Sequence, residues 1–490
     1  MSIGSHTSVA SDAAGTHPDV INRSCRLAVM LLFIGALVWS ILGLGLGLIS
    51  SVKMHVPGMW AKCEWVSYGR IRPAFFTAII YGFASQAALG AALWMLARLG
   101  RTALAQAGLA TAGAILWNGA VAIGILQIMA GQTTGFTWME MPRHSAALLA
   151  GAYFLIAISA FYTLRSRQNA TLYISHWFFI LGLVAFPALL SVGYLLGVVE
   201  PLRGVMQVVV NAYYTNGLLN LWLTPMTLGI AYYLIPKCSG KPIYSSQTAA
   251  FGFWALVICA NWSGMSQLIG GPLPRWIISV GVSAKWLLLL AAAAYAINYY
   301  LTFYVGKPAV SSEPAKAFVV IGSLMYGIWM LLDVFGTIPS IAPRVAFTLY
   351  GQGLSHLALF GFVGMILYGA IYFVSERVLN SGFERRGWLQ AHFLLSILGV
   401  LLLAVGYVYG GYTYGGNLNN PDVPMVAATK GMVPFIGMAS LGYLVLLLGQ
   451  MIFAWAVLRN VVQATAEERS TFCRWCCGEI QAGGKLKVRA

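Results

Sequence analysis

Long apolar runs dominate this chain and restrict it to one class of fold. Residues 24 to 458 are a succession of such runs, divided by short polar, Gly/Pro or basic breaks. Hydrophobic residues make up 59% of the chain and charged residues only 9%. Because a helix needs roughly 20 apolar residues to cross the hydrocarbon core of a bilayer, the sequence predicts an all-α polytopic membrane protein surrounded by lipid.

The apolar runs are long enough for about twelve transmembrane helices. We place these helices near residues 24–51, 71–99, 103–131, 143–165, 172–198, 205–235, 247–271, 276–305, 315–340, 343–376, 387–410 and 430–458. The same pattern divides the chain into a polar N-terminal tail (1–22), a twelve-helix membrane domain (23–459) and a basic C-terminal tail that contains cysteines (460–490).

The distribution of Lys and Arg predicts the orientation of the chain. With both tails in the cytoplasm, the cytoplasmic segments carry about twice as many of these residues as the opposite loops, which is the bias that sets membrane topology. We therefore predict that both termini are cytoplasmic. The formal net charge of +16 then requires no nucleic-acid partner, because anionic lipid of the inner leaflet attracts basic loops.

Three of the seven cysteines lie together in the basic tail, in the sequence CRWCC. They are Cys473, Cys476 and Cys477. A closed zinc site takes four Cys or His ligands, and no histidine lies near this cluster. Reduced thiols or a lipidated tail therefore fit the cluster better than zinc, and the cysteine spacing indicates no disulfide framework.

Several stretches of the sequence carry a resemblance to a known family. They are YGRIRP (68–73), LTPMTLGIAYYLIPKCSGKPIYS (223–245), FWALVICANWSG (253–264), PLPRW (272–276) and SHLALFGFVGMILYGAIYF (355–373). With these stretches the chain resembles subunit I of the haem-copper oxidase superfamily, most closely the catalytic subunit of the cbb3-type cytochrome c oxidases. The resemblance implies the twelve-helix arrangement of subunit I in a bacterial inner (cytoplasmic) membrane. It also implies respiratory partner subunits, such as one that bears cytochrome c.

The resemblance further implies where haem ligands should lie. The low-spin haem of the family takes one histidine from the second span and one from the tenth, and this chain has Phe75 and His356 at those positions. The ligand of the high-spin haem corresponds to Leu354. Phenylalanine and leucine have no lone pair to donate to iron, so only one haem ligand is retained.

The copper ligands implied by the resemblance are replaced as well. The single histidine of the sixth span corresponds to Asn216, and the adjacent histidine pair of the seventh span corresponds to Ser266 and Gln267. The family's redox-active tyrosine corresponds to Ala260. The resemblance therefore supports the fold more strongly than it supports the oxidase activity.

His356 is the one histidine that the pattern places near the middle of an apolar helix. His144, His176 and His392 fall within the first turn or two of their helices, near the water interface. Since copper and haem iron in such a core are held mainly by imidazole, we predict no copper and at most one haem b, bound by His356. The alternative for His356 is a hydrogen bond to a neighbouring carbonyl group.

Two ionisable residues lie inside apolar runs. Lys285 falls about ten residues into the eighth span, roughly 15 Å below the surface at the helical rise. An ammonium group there costs about 2.5–3.5 kcal/mol and should find a partner inside the bundle, for which Asp333 near the end of the ninth span is the natural candidate. We interpret the two residues either as a structural ion pair or snorkelling side chain, or as part of an intramembrane polar path.

The connection between the last two spans, YVYGGYTYGGNLNNPDVP, is rich in Tyr, Gly and Asn. This composition predicts an unstructured or turn-filled loop. The alternative is that the segment becomes ordered against a periplasmic partner domain.

Three functions remain open from the sequence. The first is a degenerate subunit I that serves a respiratory assembly as a scaffold or docking partner. The second is an active terminal oxidase or nitric oxide reductase whose metal ligands have moved. The third is an ion or proton channel or transporter on the same scaffold. The missing imidazoles favour the first, because a metal centre without its ligands cannot form.

Overall fold

The computed structural model describes residues 16–199, 201–304, 314–383 and 386–476. Within these ranges twelve helices are long and apolar enough to cross a membrane, and no strand is present, which confirms the predicted fold class. In chain order they are α1 (Pro18–His55), α2 (Tyr68–Gly100), α3 (Ala107–Met129), α4 (Arg143–Arg165), α5 (Ile174–Val199), α6 (Val205–Ser239), α7 (Ser246–Leu268), α8 (Arg275–Tyr304), α9 (Ala315–Phe335), α10 (Tyr350–Leu379), α11 (Gly387–Leu418) and α12 (Met425–Ala466).

The two ends of the membrane domain extend further than the apolar pattern indicates. α1 begins at Pro18, inside the predicted polar tail, because proline is favoured in the first helical turn and the His17 side chain caps the helix. The helix of α12 continues past residue 459 to Cys476. For the cysteine cluster of the tail, the structure describes the helical backbone at Cys473 and Cys476 but not their side chains. Cys477 lies outside the described residues.

The tenth span starts later than predicted. Residues 336–349 form turns and a four-residue helix, Ala342–Val345, so that α10 begins at Tyr350 instead of near residue 343. As a result His356 lies about two turns inside its helix. The prediction that it lies near the middle of the helix was therefore wrong.

The predicted loop after α11 is helical over most of its length, because α11 continues to Leu418. Its glycines allow close packing: a Cβ atom at Gly406 would lie 2.7 Å from the Phe435 carbonyl oxygen, and one at Gly410 would lie 2.6 Å from Phe435 Cβ. Small residues at such an interface let two helices approach closely. Contact with α12 thus stabilises a helix where the composition favours a loop.

Three helices form the centre of the bundle. The most apolar windows of α2, α6 and α10 are completely buried, whereas no other span exceeds 61%. Polar contacts join the central helices to one another and to a neighbouring helix. Asn118 of α3 donates to Gln86 of α2 (2.9 Å), and Trp222 of α6 donates to Ser85 of α2 (3.2 Å). Hydrogen bonds of this kind between helices stabilise a bundle in lipid.

The two ends of the bundle differ in the connections and chain ends that lie there. The connections after α1, α3, α5, α7, α9 and α11 all lie at one end, because consecutive spans run in opposite directions. We call this the cavity end, since the large cavity described below lies there. The start of α1 and the last residues of α12 lie at the opposite end.

Candidate functional site

A cavity of about 780 Å³ lies between the central helices at the cavity end. Its walls combine aromatic rings, amide and hydroxyl groups, and four charged or ionisable side chains. The ionisable residues are Arg72, Glu140, Lys285 and Asp333. The cavity is also lined by Leu354, Asn216, Ser266 and Gln267, so residues at four of the metal-ligand positions implied by the resemblance surround one space.

Each central helix widens into a π-helical segment just after the position that the resemblance assigns to a ligand. These segments are Ala78–Ala84 in α2, Leu218–Leu223 in α6 and Leu357–Gly364 in α10. A π-helical segment adds a residue to a turn and rotates the side chains around it, and such segments occur frequently at functional sites. Leu219 and Asn220 of the α6 segment line the cavity, so this π-helical turn lies beside the position that the resemblance assigns to copper.

A hydrogen-bonded network of amides and hydroxyls occupies the position that the resemblance assigns to copper. Asn216 donates to the Ala260 carbonyl oxygen (2.7 Å) and accepts from Asn220 (3.0 Å) and Ser263 (3.0 Å). Ser266 donates to the Ser263 carbonyl oxygen at 2.6 Å. Copper prefers imidazole, thiolate and thioether ligands, and this network offers none, so the residues do not fit a copper ion.

A leucine stands at the position that the resemblance assigns to the ligand of the high-spin haem. Leu354 lines the cavity at the position that the resemblance assigns to this ligand, and its side chain has no lone pair. No three His, Cys, Asp or Glu side chains lie close enough to hold a metal ion in the part of the chain that the structure describes. The described residues therefore offer no relocated three-ligand site for copper.

His356 lies behind the cavity wall, is only 1% exposed, and is surrounded by aromatic rings. Its Nδ1 donates to the carbonyl oxygen of Gln352 at 2.7 Å, one turn earlier in α10. Its Nε2 is hydrogen bonded to the hydroxyl of Tyr443 in α12. The Phe75 ring stacks on the imidazole, with ring centroids 5.8 Å apart and planes 15° apart.

The surroundings of His356 do not fit the low-spin haem of the family. The Tyr443 hydroxyl is hydrogen bonded to His356 Nε2, the nitrogen that would hold an iron atom, and the resemblance assigns the second ligand position to Phe75, which has no lone pair. α1 packs closely against both rings, because a Cβ atom at Gly47 would lie 2.7 Å from the Tyr443 ring and 2.9 Å from the Phe75 ring. His356, Phe75 and Tyr443 thus form a close-packed aromatic cluster against α1.

Lys285 and Asp333 form an ion pair in the cavity wall. Lys285 Nζ lies 2.8 Å from Asp333 Oδ1, and the two side chains are 7% and 17% exposed. The indole of Trp286 donates to Thr337 Oγ1 (3.1 Å) beside the pair. Because the cavity admits water to this wall, the two charges are less isolated than a pair in a dry interior.

Glu140 is a second acidic group at the cavity, in the connection between α3 and α4. It is 6% exposed, and its Oε2 atom has no hydrogen-bond partner among the described residues. Burial raises the pKa of the Glu140 carboxyl to about 8, although backbone hydrogen bonds and the charge of Arg72 lower it. Burial therefore favours the protonated form of this carboxyl, which can donate a hydrogen bond.

His144, His176 and His392 lie in the first turns of their helices, as predicted. Two of them are buried, although a position near the water interface was expected. His176 and His392 are in the first two turns of α5 and α11, yet they are only 2% and 0% exposed. The His392 ring stacks on Phe453, with centroids 4.6 Å apart, and its Nδ1 is hydrogen bonded to the Tyr372 hydroxyl (3.0 Å). Neither histidine lines the cavity.

The sequence pattern did not identify Tyr443 and Glu140 as site residues. Tyr443 interrupts an apolar run with a hydroxyl group, and Glu140 is an acid between two methionines in WMEMP. Polar groups in such settings need partners or water, and this was the available signal.

Comparison with known proteins gives a consistent family assignment. The family model described as "Cytochrome C and Quinol oxidase polypeptide I" matches residues 27–445. The chain is 25% identical over 447 residues to the "Cbb3-type cytochrome c oxidase subunit CcoN1" of Stutzerimonas stutzeri, with coverage of 88% of this chain and 94% of the relative. It is also 25% identical over 453 residues to the "Cytochrome c oxidase subunit 1 homolog" of Azorhizobium caulinodans, with coverage of 88% and 81%.

A solved structure supports the fold. A chain of "a heme-copper terminal oxidase dimer" superposes with a TM-score of 0.64 at 12% sequence identity, covering 91% of this chain and 84% of the other. At this identity the similarity concerns the arrangement of helices alone.

Proposed function

The chain belongs to the cytochrome c and quinol oxidase polypeptide I family, and we propose that it is a catalytically degenerate subunit I of a bacterial respiratory assembly. It is a multi-pass membrane protein resembling cytochrome c oxidase subunit I. In this proposal it contributes its scaffold to the assembly, and it binds no copper and no haem at His356.

The observation that carries the proposal is the network around Asn216. Its amide makes three hydrogen bonds, to Ala260, Asn220 and Ser263, and it is 3% exposed. A buried amide whose hydrogen bonds are satisfied is stable without a metal. Without copper, the Asn216 side chain therefore still has hydrogen-bond partners within the protein, as expected for a scaffold that has adapted to the absence of the metal.

The proposed location is the bacterial cytoplasmic membrane, with both termini in the cytoplasm. An even number of spans places the two ends of the bundle's chain on the same side, and the excess of Lys and Arg assigns that side to the cytoplasm. The cavity end then faces the periplasm, where a subunit that bears cytochrome c would dock.

Co-isolation tests the respiratory assignment. The tagged chain, purified in mild detergent from its native membranes, is expected to bring down a polypeptide that retains haem under denaturing conditions, as covalently bound haem c does. The control is an unrelated polytopic protein with the same tag. Recovery of the chain without any haem-bearing polypeptide would contradict membership of a respiratory assembly.

A second candidate function is an ion or proton path along Lys285 and Asp333, favoured by their position in the cavity wall. In proteoliposomes, the double variant K285M/D333L would then reduce proton flux at least tenfold relative to the unmodified chain. Equal flux in the two preparations excludes the path and leaves the pair a structural role. An exposed control, K62M, should leave the flux unchanged.

A further inference from the structure

Arg72 brings a positive charge to the wall of the cavity. Two basic side chains line this space, Arg72 and Lys285, and the second is neutralised by its ion pair with Asp333 (2.8 Å). No Asp or Glu among the described residues lies within ion-pair distance of Arg72. The cavity opens to solution, since Thr133 and Phe347 in its wall are exposed. An uncompensated cation therefore faces a water-accessible space.

Two neighbours hold the Arg72 guanidinium in place. Its Nη2 donates to Gln352 Oε1 of α10 (2.8 Å), and its Nη1 donates to the hydroxyl of Tyr68, one turn earlier in α2. The guanidinium carbon lies 5.5 Å from the centre of the Tyr68 ring and 6.0 Å from the centre of the Phe76 ring. A guanidinium group has five N–H donors, so three remain for a ligand, and Arg72 is only half-buried.

The contact with Arg72 also orients the Gln352 amide. Its Oε1 atom accepts from Arg72, and its Nε2 atom has no acceptor among the described residues. Gln267 is arranged in the same way, because its Oε1 accepts from Thr215 Oγ1 (3.3 Å) and its Nε2 has no acceptor in the described part of the chain. Both glutamines line the cavity and are accessible to water. The wall therefore offers N–H donors to a bound molecule.

Glu140, the remaining acid of the cavity, does not neutralise Arg72. Its carboxyl lies beyond ion-pair distance from the guanidinium, and its Oε2 atom is buried. The residue is only 6% exposed, so little of it faces the cavity. Burial also raises the pKa of this carboxyl, which favours the uncharged form. A negatively charged molecule in the cavity therefore meets a positive wall.

We propose that the cavity is a binding site for a small oxyanion from the solution at the cavity end, held by Arg72 and Gln352. Carboxylate, nitrate and phosphate groups each present two oxygen atoms to the fork of a guanidinium, and such charged hydrogen bonds are about twice as strong as neutral ones. The cavity of about 780 Å³ leaves room for the carbon skeleton of an organic acid. The proposal rests on the proposed function in one respect, which is that no haem occupies the cavity.

Calorimetric titration of the purified full-length chain in detergent tests the site. The probes are sodium acetate, succinate, nitrate and phosphate, with sodium chloride keeping the ionic strength constant. We expect saturable binding of at least one probe, with one ion per chain. R72Q should weaken this binding roughly tenfold or more, because hydrogen bonds to a charged group are lost. The tightest probe shows whether the site prefers an organic or an inorganic oxyanion. No saturable binding of any of the four probes would overturn the proposal.

Arg70 provides a matched control in the same turn of α2. It does not line the cavity, and it pairs with Glu64 (3.7 Å) and donates to the Met129 carbonyl oxygen (3.3 Å). R70Q is expected to bind the probes as tightly as the unmodified chain. Equal binding by R72Q and R70Q would show that Arg72 does not hold the anion and would refute the site.

A second variant keeps the shape of the site and removes its net charge. In Q352E a carboxylate replaces the amide that contacts Arg72, so the arginine gains an internal counter-ion and the N–H donors of Gln352 are lost. Binding should be lost while the Tm does not fall, which separates loss of the site from loss of the fold. Binding retained in Q352E would contradict the proposal.

The pyridine haemochrome spectrum of the same samples shows which proposal fails. A haem-free chain that binds no probe contradicts the oxyanion site alone. A chain that contains haem contradicts the proposed function and, with it, the site.

Discussion

Replacement of Lys285 by methionine is expected to destabilise the protein by about 3–5 kcal/mol, because it leaves the Asp333 carboxylate without its partner. The Lys285 Nζ to Asp333 Oδ1 distance is 2.8 Å, and neither side chain is more than 17% exposed. Since water in the cavity screens the remaining charge, we expect the lower end of this range. Thermal unfolding of the detergent-solubilised chain measures the effect as a decrease in Tm.

The double variant K285M/D333L distinguishes the cost of leaving one charge unpaired from the cost of removing both charged groups. Removal of both charges leaves no unpaired ion, and hydrophobic residues of similar volume often replace a buried ion pair at no cost. Its Tm should therefore return to within a few degrees of the unmodified value, whereas K62M, at an exposed position, should not change the Tm. A K285M variant as stable as the unmodified chain would show that the pair does not contribute to the fold.

The second large effect concerns the metals. We expect the purified chain to contain no copper and no haem, whereas an intact oxidase core of this family would contain both. The position that the resemblance assigns to copper has only amide and hydroxyl groups, and Asn216 already has hydrogen-bond partners within the protein. Tyr443 and Phe75 occupy the space beside His356. Elemental analysis and the pyridine haemochrome spectrum measure the two contents.

Most of the fold follows from the sequence because the bilayer fixes the length of each helix. All twelve predicted spans are present. The two errors arose where helix packing determines the structure. The predicted loop after α11 is mostly helical, because glycines at 406 and 410 allow α11 to continue against α12. The tenth span was predicted to start too early, because the segment before Tyr350 is apolar enough to resemble part of the span. Hydropathy averages over these local contacts and cannot resolve them.

The sequence predicts the contacts of some site residues but not of others, and the reason is physical. A lysine inside an apolar helix must find a partner, so Asp333 could be named from the sequence as a candidate for Lys285. The partner of His356 could not be named, because Tyr443 is 87 residues away and is only one of several hydroxyls in neighbouring spans. Ser51 and Tyr407 are hydrogen bonded although they lie 356 residues apart. This contact could not be predicted either, because the sequence does not show which helices are neighbours.

Metal and haem content of the chain, purified after growth with ample copper and iron, decides whether this subunit I is degenerate. We expect less than one tenth of an equivalent of copper and of haem per polypeptide, and no oxygen consumption with a reduced cytochrome c donor. One copper and two haems per chain, with oxygen consumption, would contradict it. One haem that is lost in H356A would contradict the proposal that no haem binds at His356.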